Sequence, residues 1–369
     1  MRLLITGGCG FLGAHLVEHF LKNTDFEIVV LDKLTYASSG YDRLRDIKLR
    51  RFADSTVDGP ASGAHAPMIG AHEHPRVRVL GCDLAQPIPD GIRREIGKVD
   101  YIIHAAAESH VDNSILDPLP FLQSNVIGTH HLLWFVRELE HLRRIFCVST
   151  DEVYGPASWE HPGHTPTDPF RPANPYAAAK AGGECVAMAY ANTYKLPVTI
   201  VNTMNLLGER QHPEKYVALV IRKVLSGEKL SIHADPSKTR SGTRFYIHCR
   251  NFASALGFLI DQEESIRRVD PAVRGQVEDD CLPLKIHVAG EREISNLDLA
   301  QMIAGFVGKP LNYELVDFHS SRPGHDLRYA LDAREIRAMG WKQPLDIEAS
   351  LEKTVRWFLD NPRWLGLPA

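Results

Sequence analysis

Short apolar segments alternate with helical patterns along the first 203 residues. The apolar segments cover residues 2–5, 27–31, 77–80, 99–104, 143–148 and 197–202. Runs that are apolar at successive positions are typical of strands buried on both faces, as in a parallel sheet. Helical patterns follow the apolar segments. One continues through Leu21 after the first segment, and another extends from about Pro118 to Glu138 and contains Asn125. This alternation predicts an α/β fold with a doubly wound parallel sheet.

The pattern changes after about residue 204. A helical pattern at about 216–225 precedes a loop rich in Ser, Lys and Arg near 236–244, and a strand follows at 285–288. We therefore predict one domain over residues 1–203 and a smaller, mixed lobe over 204–369. The segment 243–262 is expected to return to the first domain, with Phe245-Tyr246-Ile247 back at the sheet. Residues 38–75 show little periodicity and are predicted to be a surface insertion.

A glycine-rich turn joins the first apolar segment to the first helix. Gly7, Gly10 and Gly13 lie in this turn, and Phe11 and Leu12 begin the helix. The spacing allows a tight turn, close approach of the backbone to a pyrophosphate, and a helix N-terminus whose free N–H groups face the anion. A strand before the turn and a helix after it indicate a Rossmann-type dinucleotide site in the first domain.

Acidic and small residues at the next strand ends complete the predicted cofactor site. Asp32 ends the second strand, where a carboxylate can accept both ribose hydroxyls and would repel a 2'-phosphate, so NAD is favoured over NADP. The alternative is that Asp32 is only a turn residue. Asp83, followed by Leu84, could bind the adenine amine. Ala105 and Ala107 are small enough for a flat cofactor to lie against the backbone.

The candidate chemistry lies after the strand at 143–148. Thr150, Asp151 and Glu152 stand where this strand ends, which is where open α/β sheets place their chemistry. Tyr176 and Lys180 are four residues apart in a helix-forming segment, so they share one helix face. We expect the cation to lower the pKa of the phenol, which makes the tyrosine a usable base.

Composition and charge exclude several classes of function. The chain has 369 residues, 44% of them hydrophobic, and a net charge of -4, which gives no sign of a nucleic-acid or anionic-membrane partner. No signal peptide or membrane-spanning run is evident and the six cysteines lack C-x-x-C pairs, so a reduced, cytoplasmic protein is predicted. His65, His72 and His74 lack a coherent ligand set, and no metal site is predicted.

Seven motifs, in this order, resemble the extended short-chain dehydrogenases/reductases and, within them, the dTDP-glucose 4,6-dehydratases. They are TGGCGFLG at 6–13, DKLTY at 32–36, AAESHVD at 106–112, STDEVYG at 149–155, Tyr176 with Lys180, PEK at 213–215 and RPGHD at 322–326. The resemblance extends along nearly the whole chain. It implies NAD as a cofactor that stays bound between turnovers, with Lys33 among its contacts.

The resemblance also implies a catalytic role for each strand-end residue. Tyr176, assisted by Lys180 and Thr150, would take the proton of the sugar 4-hydroxyl as hydride leaves C4. Glu152 would then remove the C5 proton, and a protonated Asp151 would protonate the departing 6-hydroxyl. Two adjacent carboxylates with opposite tasks need environments that separate their pKa values.

Substrate contacts are expected from loops of both halves of the chain. The residues implied are Ser109, His110, Asn205, Glu214, Lys215, Arg244, Arg322 and His325. The diphosphate-binding arginine is either Arg244 or Arg240. The chain departs from the family pattern at Leu206-Leu207, at Gly242-Thr243-Arg244 and at Ser321, all on the substrate side. The class of reaction is therefore better determined than the nucleotide or the sugar.

Three functions remain open from the sequence. The first is a nucleotide-sugar 4,6-dehydratase, most directly on dTDP-glucose. The second is a 4-epimerase or related modifying enzyme, although such enzymes usually lack both Asp151 and Glu152. The third is a non-catalytic NAD-binding scaffold, which would not need Tyr176 and Lys180. The resemblance implies a homodimer through the two helices around Asn125 and Tyr176.

Overall fold

The computed structural model describes residues 1–35, 38, 40–46, 74–262, 283–317 and 327–367. Arg322 and His325, both predicted to bind substrate, lie outside the described residues, as does most of the insertion predicted at 38–75. Within the described ranges, no helix combines the length and the apolar character that crossing a membrane requires.

A parallel sheet forms the centre of the protein. The strands are β1 Arg2–Thr6, β2 Glu27–Asp32, β3 Val77–Gly81, β4 Tyr101–His104, β5 Arg144–Thr150, β6 Val198–Thr203, β7 Leu206–Leu207, β8 Leu230–Ala234, β9 Thr243–Arg244, β10 Ile247–His248, β11 Leu284–Val288, β12 Ile294–Ser295 and β13 Tyr313–Asp317. In the described part, seven parallel strands lie in the order β11-β6-β5-β4-β1-β2-β3. The predicted doubly wound α/β fold is confirmed. In such sheets ligands bind in the crevice where the strand order reverses, which is beside β1 here.

Helices cover both faces of this sheet. The α-helices of the described residues, including those of the second half that do not pack on this sheet, are α1 Phe11–Asn23, α2 Asp42–Asp46, α3 Asp90–Ile96, α4 Val111–Leu116, α5 Leu119–Leu122, α6 Gly128–Val136, α7 Pro175–Tyr194, α8 Tyr216–Ser226, α9 Cys249–Asp261, α10 Asn296–Val307, α11 Arg334–Ala338 and α12 Ile347–Asp360. Neighbouring residues of β1 face opposite cores: Leu3 packs with α1 and α9, and Leu4 with α6 and α7. Burying such a side chain contributes about 1.5–3 kcal/mol.

A third core, formed by α8, α10, α12 and β8, lies in the second half of the chain. Here one expectation is wrong. β10, at the end of Phe245-Tyr246-Ile247, pairs with β7 and stays outside the central sheet. The edge beside β6 is taken by β11, with Ile286 opposite Val201. The following helix α9 does pack on α1, while the predicted domain boundary at residue 203 stays a prediction.

Candidate active site

The turn between β1 and α1 has the geometry predicted for a dinucleotide loop. Gly7 has φ +71°, and a Cβ there would lie 2.7 Å from Cα of Ala106. A Cβ on Gly13 would overlap the carbonyl oxygen of Gly7. Gly10 stands before α1 with no side-chain cap, so the free N–H groups at the start of this 13-residue helix face the crevice without competition from a capping side chain. Phe11 and Leu12 begin the helix.

Asp32 stands at the end of β2 beside this turn. Its carboxylate accepts the backbone N–H of Cys9 at 2.9 Å and that of Leu34 at 2.8 Å. Burial raises the pKa of Asp32 while these two hydrogen bonds oppose the shift. The side chain is held in the place predicted for a ribose contact. Lys33, predicted to contact NAD, forms an ion pair with Glu108 at 3.0 Å.

The remaining cofactor candidates lie at the ends of β3 and β4. Asp83 accepts the backbone N–H of Ala85 at 2.9 Å, and Leu84 is buried. Ala105 and Ala107 follow β4 on the same edge of the sheet. The structure therefore brings the two strand ends to the crevice, and the individual contacts with NAD stay predictions.

Asn125 lies in a π-helical turn, Gln123–Ile127, between α5 and α6. Its side chain is 2% exposed; Oδ1 accepts the N–H of Glu108 at 2.9 Å, and Nδ2 donates to the Glu108 carbonyl oxygen at 3.0 Å. A buried amide that joins two segments is not a helix-surface residue. Such π-turns occur frequently at functional sites, and this one holds the segment after β4 in place.

Thr150, Asp151 and Glu152 form a tight turn at the end of β5. The Thr150 hydroxyl accepts the N–H of Glu152 and donates to Asp151 Oδ1 at 2.9 Å. Asp151 is 4% exposed. Burial, and then the charge of Glu152, raises the pKa of Asp151 to about 7. Asp151 is therefore protonated in a large fraction of molecules at neutral pH, as the predicted acid requires.

Tyr176 and Lys180 lie on α7 next to this turn. The Tyr176 hydroxyl makes a hydrogen bond with Thr150, and Lys180 Nζ donates to the carbonyl oxygen of Val148 at 2.8 Å. The expectation that the cation lowers the tyrosine pKa is wrong for this structure. Burial, followed by the charge of Glu152, raises the pKa of Tyr176 above its ordinary value. The Lys180 ammonium donates its hydrogen bond to the backbone and not to the phenol.

Sequence reasoning missed Asn174. Its Oδ1 accepts the N–H of Ala177 at 2.8 Å and so caps α7, while its Nδ2 donates to Glu152 Oε2 at 3.0 Å. One side chain thus fixes both the start of the helix that carries Tyr176 and the orientation of Glu152. An Asn followed by Pro at a helix start is a known capping signal and could have located it.

Four residues predicted to bind substrate lie together, and we call Ser109, His110, Glu214 and Lys215 the loop cluster. Lys215 Nζ donates to the Ser109 carbonyl oxygen at 3.3 Å, and His110 Nε2 lies 3.6 Å from Glu214 Oε2. The cluster joins the segment after β4 to the segment before α8. Asn205, also a candidate, is exposed after β6. The binding roles of these residues stay predictions.

The two candidate arginines have different surroundings. Arg244 donates to the Leu327 carbonyl oxygen at 2.7 Å and lies 4.7 Å from the ring centre of Tyr329. The charge of Arg244 also lowers the pKa of Asp151 and so opposes the effect of burial. Arg240 lies over the ring of Trp159, with 3.4 Å to its centre. Arg244 is therefore the one that faces the catalytic turn.

His161, His164 and Asp168 are a group of possible metal ligands in the described residues, with ligand atoms within 4.8 Å of one another. His164 Nδ1 already pairs with Asp168 Oδ2 at 2.9 Å, and its ring stacks on Tyr154. An ion pair and ring stacking explain these positions. The absence of a metal requirement stays a prediction.

Comparisons with known proteins agree with this geometry. The profile of the NAD dependent epimerase/dehydratase family matches residues 3–270. The dTDP-glucose 4,6-dehydratase of Salmonella typhimurium is 32% identical over 388 residues, 99% of this chain and 95% of that protein. A trifunctional UDP-glucose 4,6-dehydratase/3,5-epimerase/reductase of Arabidopsis thaliana is 32% identical over 99% of this chain and 48% of its own length.

A solved structure is similar over the same extent. The dTDP-glucose 4,6-dehydratase DesIV from Streptomyces venezuelae, with NAD bound, has a TM-score of 0.77 at 32% identity and covers 99% of this chain and 98% of its own. The predicted resemblance to this group of dehydratases is confirmed. The chain therefore belongs to the NAD dependent epimerase/dehydratase family.

Proposed function

We propose that this protein is an NAD-dependent nucleotide-sugar 4,6-dehydratase. It oxidises an NDP-hexose at C4, eliminates water across C5 and C6, and yields the 4-keto-6-deoxy sugar. One observation carries the proposal: Asp151 and Glu152 are adjacent at the end of β5, and Asp151 has a pKa raised to about 7. Elimination across C5 and C6 needs a base for the C5 proton and an acid for the 6-hydroxyl, whereas epimerisation at C4 needs proton transfer only at the 4-hydroxyl.

The residues present fit NAD. The glycine turn, the free N-terminus of α1 and the fixed carboxylate of Asp32 match a pyrophosphate and a ribose diol. When bound, NAD accepts hydride from C4 and returns it at C6, so the overall reaction needs no added reductant. We propose that Lys33, Asp83, Leu84, Ala105 and Ala107 line the rest of the cofactor site.

Tyr176 is the proposed base of the first step. It takes the proton of the 4-hydroxyl, and Thr150, already hydrogen-bonded to it, orients the phenol oxygen. In this structure burial and the charge of Glu152 raise the pKa of Tyr176 although Lys180 lies on the same helix, so the positive charge of a bound oxidised nicotinamide would be needed in addition to favour the phenolate. Lys180 supplies a second positive charge one helical turn away on the same face of α7.

The 4-ketone then makes the C5 proton acidic enough for a carboxylate base. Glu152, oriented by Asn174, removes that proton. Asp151 donates its proton to the 6-hydroxyl, which leaves as water, and the double bond forms between C5 and C6. Hydride then enters at C6 and a proton returns to C5, so atoms and electrons balance.

We propose dTDP-glucose as the first substrate to test and UDP-glucose as the second, because relatives of both kinds are 32% identical to this chain. The loop cluster, with Asn205 and Arg244, is proposed to bind the nucleotide diphosphate. Arg244 is preferred over Arg240 for the diphosphate because it faces Asp151. Arg322 and His325 stay candidates from the sequence.

The test is incubation with dTDP-glucose, UDP-glucose, UDP-N-acetylglucosamine and GDP-mannose in separate reactions, followed by mass spectrometry and NMR. Loss of one water from one substrate, without added reductant, is expected. Unchanged mass with a new stereoisomer at C4 would show an epimerase instead. No change in any substrate, together with tight NAD binding, would favour the scaffold.

A homodimer is proposed through α4–α7. In the described residues, large apolar side chains are exposed along the segment from α4 to α7, and they are Ile115, Leu116, Leu119, Leu122, Ile127, Trp134 and Tyr194. Leu116 is 85% exposed, and an accumulation of exposed apolar side chains is typical of protein interfaces. Sedimentation of wild type and Leu116→Asp tests this: the wild type should be a dimer, and the charged variant should shift to monomer.

A cytoplasmic location is also proposed. The five cysteines of the described residues are free thiols: Cys9, Cys82, Cys147, Cys185 and Cys249. Free thiols are typical of reducing compartments. Cell fractionation with an antibody against the protein tests the location, and recovery in a secreted fraction would contradict it.

A further inference from the structure

Glu184 is a buried carboxylate on α7 that the mechanism above does not use. It is 3% exposed and lies one helical turn after Lys180 and two turns after Tyr176, on the same face. Burying a carboxylate is costly unless it is paired and hydrogen-bonded. The groups that pair with the Glu184 carboxylate therefore indicate its role.

Asn202 links Glu184 to the end of β5. Its Nδ2 donates to Glu184 Oε1 at 2.7 Å and to the carbonyl oxygen of Thr150 at 2.9 Å. Asn202 is fully buried on β6, opposite Ser149. The carboxylate thus orients an amide that holds the backbone of Thr150, whose hydroxyl bonds to Tyr176.

Lys285, on β11, balances the charge of Glu184. Its Nζ lies 2.8 Å from Glu184 Oε2, and the ammonium is 4.4 Å from the ring centre of Tyr154 and 4.5 Å from that of Phe170. Glu184 is therefore paired with Lys285, while Lys180, one helical turn away, donates to the carbonyl oxygen of Val148 and feels the Glu184 charge from a longer distance.

We propose that Glu184 is a positioning residue for the C4 oxidation step. Through Asn202 it holds the Thr150 backbone beside Tyr176, its charge acts on the Lys180 ammonium one helical turn away, and Lys285 offsets that charge. The inference rests on the proposed dehydratase function, because that reaction requires Tyr176 to take up and release a proton.

Electrostatics gives the direction of the effect. Burial lowers the pKa of Lys180, and the Glu184 carboxylate opposes that shift. The other titratable groups that face Lys180, Glu184, Lys285 or Tyr176 are His104, Cys147, Asp151, Glu152, Tyr154, Asp168, Cys185 and His287. Within the described residues Glu184 is the carboxylate that faces Lys180, so its removal should let Lys180 lose its proton at lower pH.

A direct test does not need turnover. Protein labelled with ¹³Cε-lysine is titrated by NMR with NAD present, and the Lys180 signal is assigned with Lys180→Met. In Glu184→Gln the midpoint of Lys180 should fall by about one pH unit. An unchanged midpoint overturns the inference. Because this readout is independent of substrate, it separates failure of the inference from failure of the proposed function.

Kinetics tests the step that is affected. Glu184→Gln should lower kcat about tenfold with KM changed less than about twofold. The alkaline limb of the kcat profile should move to lower pH, and the isotope effect with substrate deuterated at C4 should rise, because oxidation becomes rate-limiting. Glu184→Asp should restore most of kcat. A lower kcat without a shifted limb would leave Glu184 with a merely structural role and overturn the proposal.

A second pair of variants separates charge from folding. Lys285→Met leaves Glu184 without its main counter-charge and should lower Tm. Adding Glu184→Gln removes both charges and should recover Tm, yet the low Lys180 midpoint should persist. Thr354→Val removes a buried hydrogen bond to Ser350 in the other half of the chain and should leave the pH profile unchanged. The same pH shift in Thr354→Val, or a wild-type midpoint in the double variant, contradicts the proposal.

Discussion

The catalytic turn and the loop cluster differ in how far water reaches them. Asp151 is 4% exposed, and its hydrogen bonds and neighbouring charges come from protein groups. In the loop cluster, by contrast, Glu214 and His110 are partly exposed and 3.6 Å apart. Burial can shift a pKa by units, whereas exposed ion pairs contribute about 0–1 kcal/mol. The first region is therefore built for proton transfer, and the second can rearrange around a ligand.

The largest effect is expected for Tyr176→Phe. Removing the proton acceptor of the first step should lower kcat by about 10³-fold or more, while NAD binding persists because the glycine turn and Asp32 are untouched. Dehydration rate and NAD content of the purified protein measure the two effects. The control is Tyr190→Phe on the same helix, whose hydroxyl bonds to His130 at 2.8 Å. Loss of NAD in Tyr176→Phe would contradict the assigned role.

Asp151 should impose a pH limit on activity and on stability. As an acid it must be protonated, so kcat should fall as pH rises through about 7. Its pKa in the folded protein lies above the ordinary 3.8, so its stabilising contribution is complete below about pH 4 and is lost as pH rises through about 7.

The variant Asp151→Asn removes both dependences. It should abolish elimination while raising the unfolding free energy above pH 7 by about 2–4 kcal/mol. Urea unfolding at pH 5 and pH 8 and the release of water from substrate measure these effects. If the difference in unfolding free energy between the variant and wild type were the same at pH 5 and pH 8, the raised pKa of Asp151 would be contradicted.

Asn174 connects the buried turn to the helix that carries Tyr176, and its effect should be intermediate. Asn174→Ala should cost about 1 kcal/mol of stability through the lost cap, and about tenfold in kcat through the freed Glu152. Asn174→Ser keeps a capping oxygen and should recover stability, but not the contact with Glu152. Urea unfolding and exchange of the C5 hydrogen with deuterium separate the two. Wild-type exchange in Asn174→Ser would contradict the positioning of Glu152.

The smallest effect is expected in the loop cluster. Lys215→Ala should raise KM about three- to tenfold and change kcat less than about twofold, because it removes an exposed contact that binds ground state and transition state alike. The difference should shrink at high salt. Lys229→Ala, which breaks an exposed pair with Glu314, is the matched control. A loss confined to kcat would move Lys215 into the catalytic set.

The pattern of neighbouring residues was sufficient to predict much of the fold and of the candidate site. The glycine turn, Asp32 and the strand end at Thr150 follow from a few neighbouring residues, and each stands where it was predicted. The Asn174 cap was equally local and was overlooked. The strand at the edge beside β6 could not be predicted from neighbouring residues. β11 pairs with β6 there, whereas the segment near Ile247 pairs with β7, and only the folded structure shows which segment pairs with β6.

The sequence by itself determined the alternating fold, the dinucleotide turn, and Tyr176 and Lys180 on one helix face, because turn chemistry and helical periodicity act within a few residues. Only the tertiary structure decided the raised pKa values of Asp151 and Tyr176, the different surroundings of Arg240 and Arg244, and the pairing of Glu184 with Lys285, which are 101 positions apart in the chain. Burial and electrostatics add contributions from distant segments, so these properties exist only once the chain has folded.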